Sequence, residues 1–298
     1  MAHFAAQARG VTALAREVAS PAGRILVISD FDGTLAEIDP DPMGARIDPG
    51  ARRGLRRLAR FAEARPDRLA LAVLTGRAVS DVAQRVRVGG VRYLGNHGLE
   101  ADWLPRRGSL RALVERQAGP AGMTAAARLG RGVAASLGDP DWLFVEVKGG
   151  SVALHYRQAP DQQAAGRAIG AAVDAALAAT SPSVGAELER FDGRLIVELR
   201  PAGAGGKGAA VGRLLAELAP ASVLSIGDDV SDAEGFDVLR AAQAAGRLVS
   251  LNAGVHDRHA TPPELLAAAD VMLAAPRESG RLLGALASVL ERERDPGA

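Results

Sequence analysis

The string Asp30-Phe31-Asp32-Gly33-Thr34-Leu35 follows directly on the apolar run Arg24–Ser29. A short buried strand that ends in two aspartates puts acid groups at a strand's carboxyl end, the edge of an open α/β sheet where ligands collect. Residues two apart in extended chain project to one side, so Asp30 and Asp32 are expected to face one site together. Gly33 permits a sharp exit from the strand. Asp and Gly are also ordinary turn formers. The apolar strand before and the threonine after make this string more specific than a turn.

Three further stretches carry related chemistry. Gly227-Asp228-Asp229-Val230-Ser231-Asp232 follows the apolar run Ser222–Ile226. Carboxylates this dense repel one another unless a cation sits among them. Asp228 and Asp232 are four apart, so a helix starting here turns both to one face. Helix capping is the other use of such residues, and it accounts for one Asp rather than three. Thr75-Gly76-Arg77, after the run Leu69–Leu74, offers a hydroxyl and backbone N–H groups to an anion. Alone, it fits any loop. Lys207-Gly208 opens a helix after Gly203–Gly206. A cation there opposes the helix dipole, and a nearby anion offsets that cost. Of 36 Lys+Arg only Lys148 and Lys207 are lysine. A position that keeps lysine against this bias calls for a compact point charge, with a solvated surface lysine as the alternative.

The elements that hold these residues read as follows. Arg24–Ser29, Leu69–Leu74, Val91–Gly95, Ser222–Ile226, Arg247–Leu251 and Asp270–Leu273 are short apolar strands. Arg52–Ala64, Lys207–Ala219, Ser231–Ala245, Pro263–Ala268 and Ser279 onward are helical. Such alternation predicts a doubly wound, Rossmann-like parallel sheet with helices on both faces. The middle differs. Leu110–Ser136 reads as helix, interrupted near Gly119-Pro120. Trp142–Lys148 and Ser151–Arg157 flank Gly149-Gly150 as a hairpin, and Gln162–Ala179 is helical. Gly185–Arg190 and Arg194–Arg200 flank a predicted Phe191-Asp192-Gly193 turn. The expectation is an α/β core over 1–104 and 201–298, with an α+β cap domain inserted at 105–200. On the cap strands Trp142, Phe144, Glu146 and Lys148 share one face, and Ile196 and Glu198 share one opposite Leu195, Val197 and Leu199. Aromatic and charged groups together suit a sugar. A merely solvent-facing pair of glutamates is the plain alternative.

The chain has 298 residues, 48% hydrophobic and 24% charged, with a formal net charge of +1. No global field steers it toward nucleic acid or anionic lipid, so neither is an expected partner. It has no cysteine, which excludes disulfides, thiol nucleophiles and thiolate metal sites and is compatible with the cytoplasm. No apolar run reaches the length of a membrane span. The first twenty residues lack a signal-peptide core and read as an amphipathic helix.

The four strings, in this order and each at a strand end, resemble the motifs of the haloacid dehalogenase-like hydrolases, and the inserted domain resembles the cap of their sugar-phosphatase branch. Gly95-Asn96-His97-Gly98, Glu146-Val147-Lys148, His155-Tyr156-Arg157, Glu198 and Gly227-Asp228-Asp229 are similar to strings of the trehalose-6-phosphate phosphatase family. The resemblance runs from about Arg24 to the last helix. It implies a phosphatase in which Asp30 is the nucleophile and Asp32 the general acid/base. Mg²⁺ would sit on Asp30, the Asp32 backbone carbonyl and Asp228, with Asp229 and Asp232 supporting it from behind. Thr75, Gly76 and Lys207 would hold the phosphate, and Arg77, Glu146, Lys148 and Glu198 the sugar. The ionised neighbours of Asp32 are expected to favour its protonated form. Ser231-Asp232-Ala233-Glu234 departs from the family's usual Thr-Asp-Glu continuation. Sucrose phosphate and mannosyl-3-phosphoglycerate are the rival substrates, and a non-catalytic sugar-phosphate sensor is the rival from outside enzymes.

Overall fold

Two sheets organise the chain in the computed structural model, which describes residues 10–41, 43–117, 125–148, 151–180, 188–201, 205–256 and 260–294, the side chains of 115–117, 148 and 294 excepted. The larger sheet is built from β1 (Ile25–Ser29), β2 (Leu69–Leu74), β3 (Val91–Gly95), β4 (Glu100–Leu104), β9 (Ser222–Gly227), β10 (Val249–Val255) and β11 (Val271–Leu273). Its order is β11-β10-β9-β1-β2-β3-β4. All neighbours are parallel except β4, which runs antiparallel to β3.

Both faces of this sheet are covered, as continuous apolar strands require. Ile25 and Val27 of β1 and Leu69, Leu71 and Val73 of β2 point to one face. There they meet α1 (Val11–Ala19), α2 (Pro49–Ala64), α3 (Val79–Val86) and α10 (Pro276–Arg294). Leu26, Ile28, Ala72 and Leu74 point to the other face, against Ala210, Val211 and Leu214 of α7 (Lys207–Leu218) and Leu239 of α8 (Val230–Ala244). A short α9 (Pro263–Ala268) packs Leu265 and Ala268 against Phe236 of α8. The chain runs outward from β1 in both directions, so β1 is the topological switch point, where such sheets bind ligands.

The smaller sheet is antiparallel, β5 (Phe144–Lys148), β6 (Ser151–His155), β8 (Ile196–Pro201) and β7 (Leu188–Gly193) in that order. Two helices, α5 (Ala125–Ser136) and α6 (Gln162–Ala179), cover one face, on Val152, Leu154, Val197 and Leu199. By contacts the chain forms two compact units, Met1–Gln117 with Gly206–Ala298, and Ala118–Gly205. The second thus starts later than the expected 105. The reason is β4, which the sequence reading left out, and α4 (Leu110–Gln117), which packs on α3 and β4.

Two local readings need correction. The β7–β8 turn is Arg194-Leu195, since Gly193 pairs with Ile196, and Leu195 takes the left-handed conformation (φ 56°). Asp192-Gly193 instead belongs to β7; residues 185–187 lie outside the described ones. Trp142 precedes β5 and packs with Leu143 and Val145 toward the helices, so it does not share the face of Glu146.

Candidate active site

The parallel register explains why acid groups far apart in sequence meet. Ser29 pairs with Ile226 on one side and Val73 on the other, so β9, β1 and β2 end level. The Asp30 N–H donates to Ile226 O (2.9 Å) and the Thr75 N–H to Leu94 O (3.0 Å), carrying the ladder one step past the strands. Asp30, Thr75 and Asp228 therefore emerge at one edge. Gly33 has φ 75°, and a Cβ there would overlap the Asp228 carboxylate. Thr34 donates its hydroxyl to Asp228 Oδ1 (2.9 Å).

Lys207, at the start of α7, is buried and binds two carboxylates, Asp30 Oδ1 at 2.9 Å and Asp232 Oδ1 at 2.8 Å. Asp232 also accepts from the N–H groups of Asp228 and Asp229, both at 3.2 Å. Asp229 is the N-cap of α8 and forms a reciprocal capping box with Asp232. Capping thus accounts for two of the three aspartates. Asp228 lies before the N-cap, so helix spacing is not what brings it to Asp232. The tight turn into α8 does so: a Cβ at Gly227 would strike the Asp232 side chain.

Asp30, Asp228 and Asp232 each bring a carboxylate oxygen within 4.8 Å of the others, all three buried. Burial, opposed by Lys207 and reinforced by Asp232 and Asp32, pushes Asp30 up to about 7. Burial and then the neighbouring Asp30 lift Asp228 well above the usual carboxylate range. Burial also raises Asp232, against the pull of Lys207. Burial alone would lower Lys207; Asp232 and Asp30 outweigh it and raise it. One ammonium facing three buried carboxylates leaves uncompensated negative charge. These hard oxygen donors fit a divalent cation such as Mg²⁺. Asp30 and Asp228 are the candidates to hold it, because Asp232 is taken up by Lys207 and the α8 cap.

Asp32 is placed differently from the expectation. Its carboxylate is gripped by the Arg77 fork, Nε to Oδ2 at 2.6 Å and a terminal nitrogen to Oδ1 at 2.7 Å. Its nearest charged partner is therefore a cation rather than another carboxylate. Arg77 in turn binds Asp81 (2.8 Å) and stacks over Phe31. Thr75 is buried, and its hydroxyl accepts from the Arg77 N–H (3.2 Å). The β3–β4 turn is sewn to this loop. Asn96 N–H donates to Arg77 O and His97 N–H to Thr75 O, both at 2.9 Å. The His97 ring lies so close to Gly76 that a Cβ there would come within 3.0 Å of Nε2. Asn96 and His97 both have positive φ, a strained pair held by Glu100, which accepts from Asn96 and from the Val79 N–H.

The family profile described as trehalose-phosphatase matches residues 28–262. The chain belongs to the trehalose-phosphatase family. A trehalose-phosphate phosphatase of Mycobacterium tuberculosis is 34% identical over 218 residues, 72% of this chain and 51% of its own length. One of Mycobacterium avium is 32% identical over 271 residues, 89% of this chain and 63% of its own. The chain therefore spans about half the length of the first of these curated relatives. The C-terminal domain of C. albicans trehalose-6-phosphate phosphatase shares the fold, with TM-score 0.67 at 20% identity over 93% of this chain and 96% of that one.

In this member of the trehalose-phosphatase family Glu146 and Glu198 lie on the face of the small sheet away from α5 and α6. Glu146 binds His155 Nε2 (2.8 Å), and Phe144 packs against the same imidazole. Glu198 is only 1% exposed and accepts from Ser151 Oγ (3.0 Å). It is not a solvated strand residue. Next to it Arg200 binds Glu189 (2.8 Å) and lies over the Phe191 ring. Lys148 ends β5; its side chain lies outside the described residues. Sequence reasoning missed Thr34, Asp81 and Glu100 as partners. Only Thr34 had a signal, its place in the aspartate string.

Proposed function

We propose that the chain hydrolyses trehalose 6-phosphate to trehalose and phosphate through an aspartyl-phosphate on Asp30. The observation that carries this reading is the buried Asp30 beside Lys207 and Asp228 at the switch point of a trehalose-phosphatase-family sheet. Mg²⁺, held by Asp30, Asp228 and the Asp32 carbonyl, would supply charge neutralisation between two anionic reactants. Asp30 attacks phosphorus, and the bond from phosphorus to the sugar oxygen breaks. Lys207, the Thr75 hydroxyl and the Gly76 backbone balance the charge of the phosphoryl oxygens. Once one Asp32 oxygen leaves the Arg77 grip it takes a proton from solvent, gives it to the leaving sugar oxygen, and then takes one from the water that releases phosphate from Asp30. Arg77 orients Asp32 through its two-point grip, a role distinct from direct sugar binding. Asp229 and Asp232 hold the loop and Lys207.

Glu146, Lys148 and Glu198 would read sugar hydroxyls, the cap acting as the specificity domain. The choice of trehalose rests on the family and on the names of the curated relatives. A cysteine-free chain suits a reducing compartment, and we propose the cytoplasm. Among the described residues no helix is long and apolar enough to cross a membrane. The test is phosphate release from trehalose 6-phosphate, sucrose phosphate and mannosyl-3-phosphoglycerate, each with Mg²⁺ and with chelator. Fastest Mg²⁺-dependent release from trehalose 6-phosphate is expected. Faster release from either of the others would reassign the substrate, and release from none would leave the sensor reading.

A further inference from the structure

The opposite edge of the large sheet holds a feature that the phosphatase reading does not use. β3 pairs with β2 only from Ala72 to Leu74, so among the described residues the first half of β2, Leu69–Leu71, has no strand beside it on that side. A cavity of about 570 Å³ fills the gap. Its walls are mainly apolar, among them Leu26, Ala62, Leu71 and Leu214, and Trp103 of β4 stands at it 48% exposed. Arg24 reaches in from just before β1, its Nε buried without a hydrogen-bond partner.

A second cavity of about 380 Å³ adjoins the first, and Ala59 and Arg106 line both. Its character is different. Arg56, Arg60, Arg87 and Arg106 line it, and among the described residues no acidic one joins them in its walls. Arg106 pairs with Glu63, which belongs to the apolar cavity. Arg87 spends its Nε on Gln84 O. Arg52 behind them has its guanidinium pulled down by burial and by the positive charges of Arg56 and Arg87. Like charges gathered with so little acid repel, and the repulsion is relieved by a bound anion. Planar guanidinium groups match phosphate, sulfonate and carboxylate oxygens in paired contacts.

We propose that these joined cavities form a second ligand site for a small amphipathic anion, its apolar body beside Trp103 and Leu71 and its charged head among Arg56, Arg60 and Arg106. The site is separate from the aspartate cluster: its residues gather at the start of β1 and β2, whereas Asp30 and Thr75 follow their ends. Its existence does not depend on which sugar phosphate, if any, is hydrolysed.

The probe is 1-anilinonaphthalene-8-sulfonate, whose sulfonate and fused rings match the two chambers. Fluorescence titration of the full chain is expected to give one saturable site, with energy transfer on indole excitation that is lost in Trp103→Phe. Arg56→Ala combined with Arg60→Ala alters exposed side chains and is expected to weaken binding about tenfold, the loss of one or two charge-assisted contacts. Ala62→Trp fills the apolar chamber and is expected to abolish binding. Inorganic phosphate, which matches the head alone, should compete only weakly. Affinity unchanged in both the double arginine variant and Ala62→Trp overturns the proposal, as does binding of many dye molecules per chain. Should Ala62→Trp fail to fold by circular dichroism, the surface arginine pair decides alone.

Discussion

At the scale of single residues, the site is a contest between burial and charge. Asp30 is buried against one lysine and two acids, and its carboxyl rises to about 7. The folded, metal-free chain thus keeps a proton that the unfolded chain gives up as pH passes the ordinary 3.8. Stability is fully present below that value and is lost as pH rises through about 7. A cation bound there displaces the proton, so the rise in Tm caused by Mg²⁺ should be larger at about pH 8 than at about pH 5. Scanning calorimetry at both values, with and without Mg²⁺, checks this; an equal shift would remove Asp30 from the metal site. Asp30→Asn should lower phosphate release by at least about a thousandfold while the chain stays folded, the expected loss of a nucleophile. Persistent turnover would move the nucleophile elsewhere. The acid residues and Lys207 were legible because each follows a strand end or opens a helix, and because lysine is rare here. The grip of Arg77 on Asp32 was not. Arginine is so common in this chain that no single one stands out, and sequence does not say which carboxylate a long flexible side chain will reach.

At the scale of elements, level strand ends do the assembling. The apolar runs predicted β1, β2, β3, β9 and their parallel pairing, since strands buried on both faces carry no alternation to confuse. β4 escaped because Glu100–Leu104 mixes acid, aromatic and exposed positions at the sheet edge. The β7–β8 turn was misplaced because Asp-Gly is the usual signal for a two-residue turn, yet here the left-handed position falls on Leu195. The loop after β1 gives the sharpest test of assembly. Gly33 combines a positive φ with a missing side chain that leaves room for Asp228. Gly33→Ala must either displace that carboxylate or strain the loop, costing about 1–3 kcal/mol. The expected outcome is a lower Tm together with loss of the Mg²⁺-induced stabilisation. A variant that keeps both would show that Asp228 can move away from the loop without consequence.

At the scale of the whole molecule, each unit closes its own core. The apolar cluster of the small unit is drawn entirely from residues 125–199, and the two clusters on the large sheet take none of them. Such separation allows the polar face of the small sheet to be specialised without disturbing the acid cluster. Alternation along β8, and along β5 apart from Trp142, made the division of faces legible, while the pairing of Glu146 with His155 came only from the antiparallel register, which sets Phe144 opposite His155 and Glu146 opposite Ala153. Buried Glu198 and half-buried Glu146 put acceptor oxygen on the sheet face away from α5 and α6, where they also meet Ser151 and His155. A hydrogen-bonded sugar hydroxyl is the use we assign to it. Glu146→Gln should therefore raise KM for trehalose 6-phosphate about tenfold or more, the loss of one charge-assisted hydrogen bond. Hydrolysis of p-nitrophenyl phosphate, which offers no sugar to read, should be unchanged. If both substrates lose activity in parallel with Tm, Glu146 serves only to hold the sheet together through His155. If only the sugar phosphate suffers, recognition and chemistry reside on separate units of the fold.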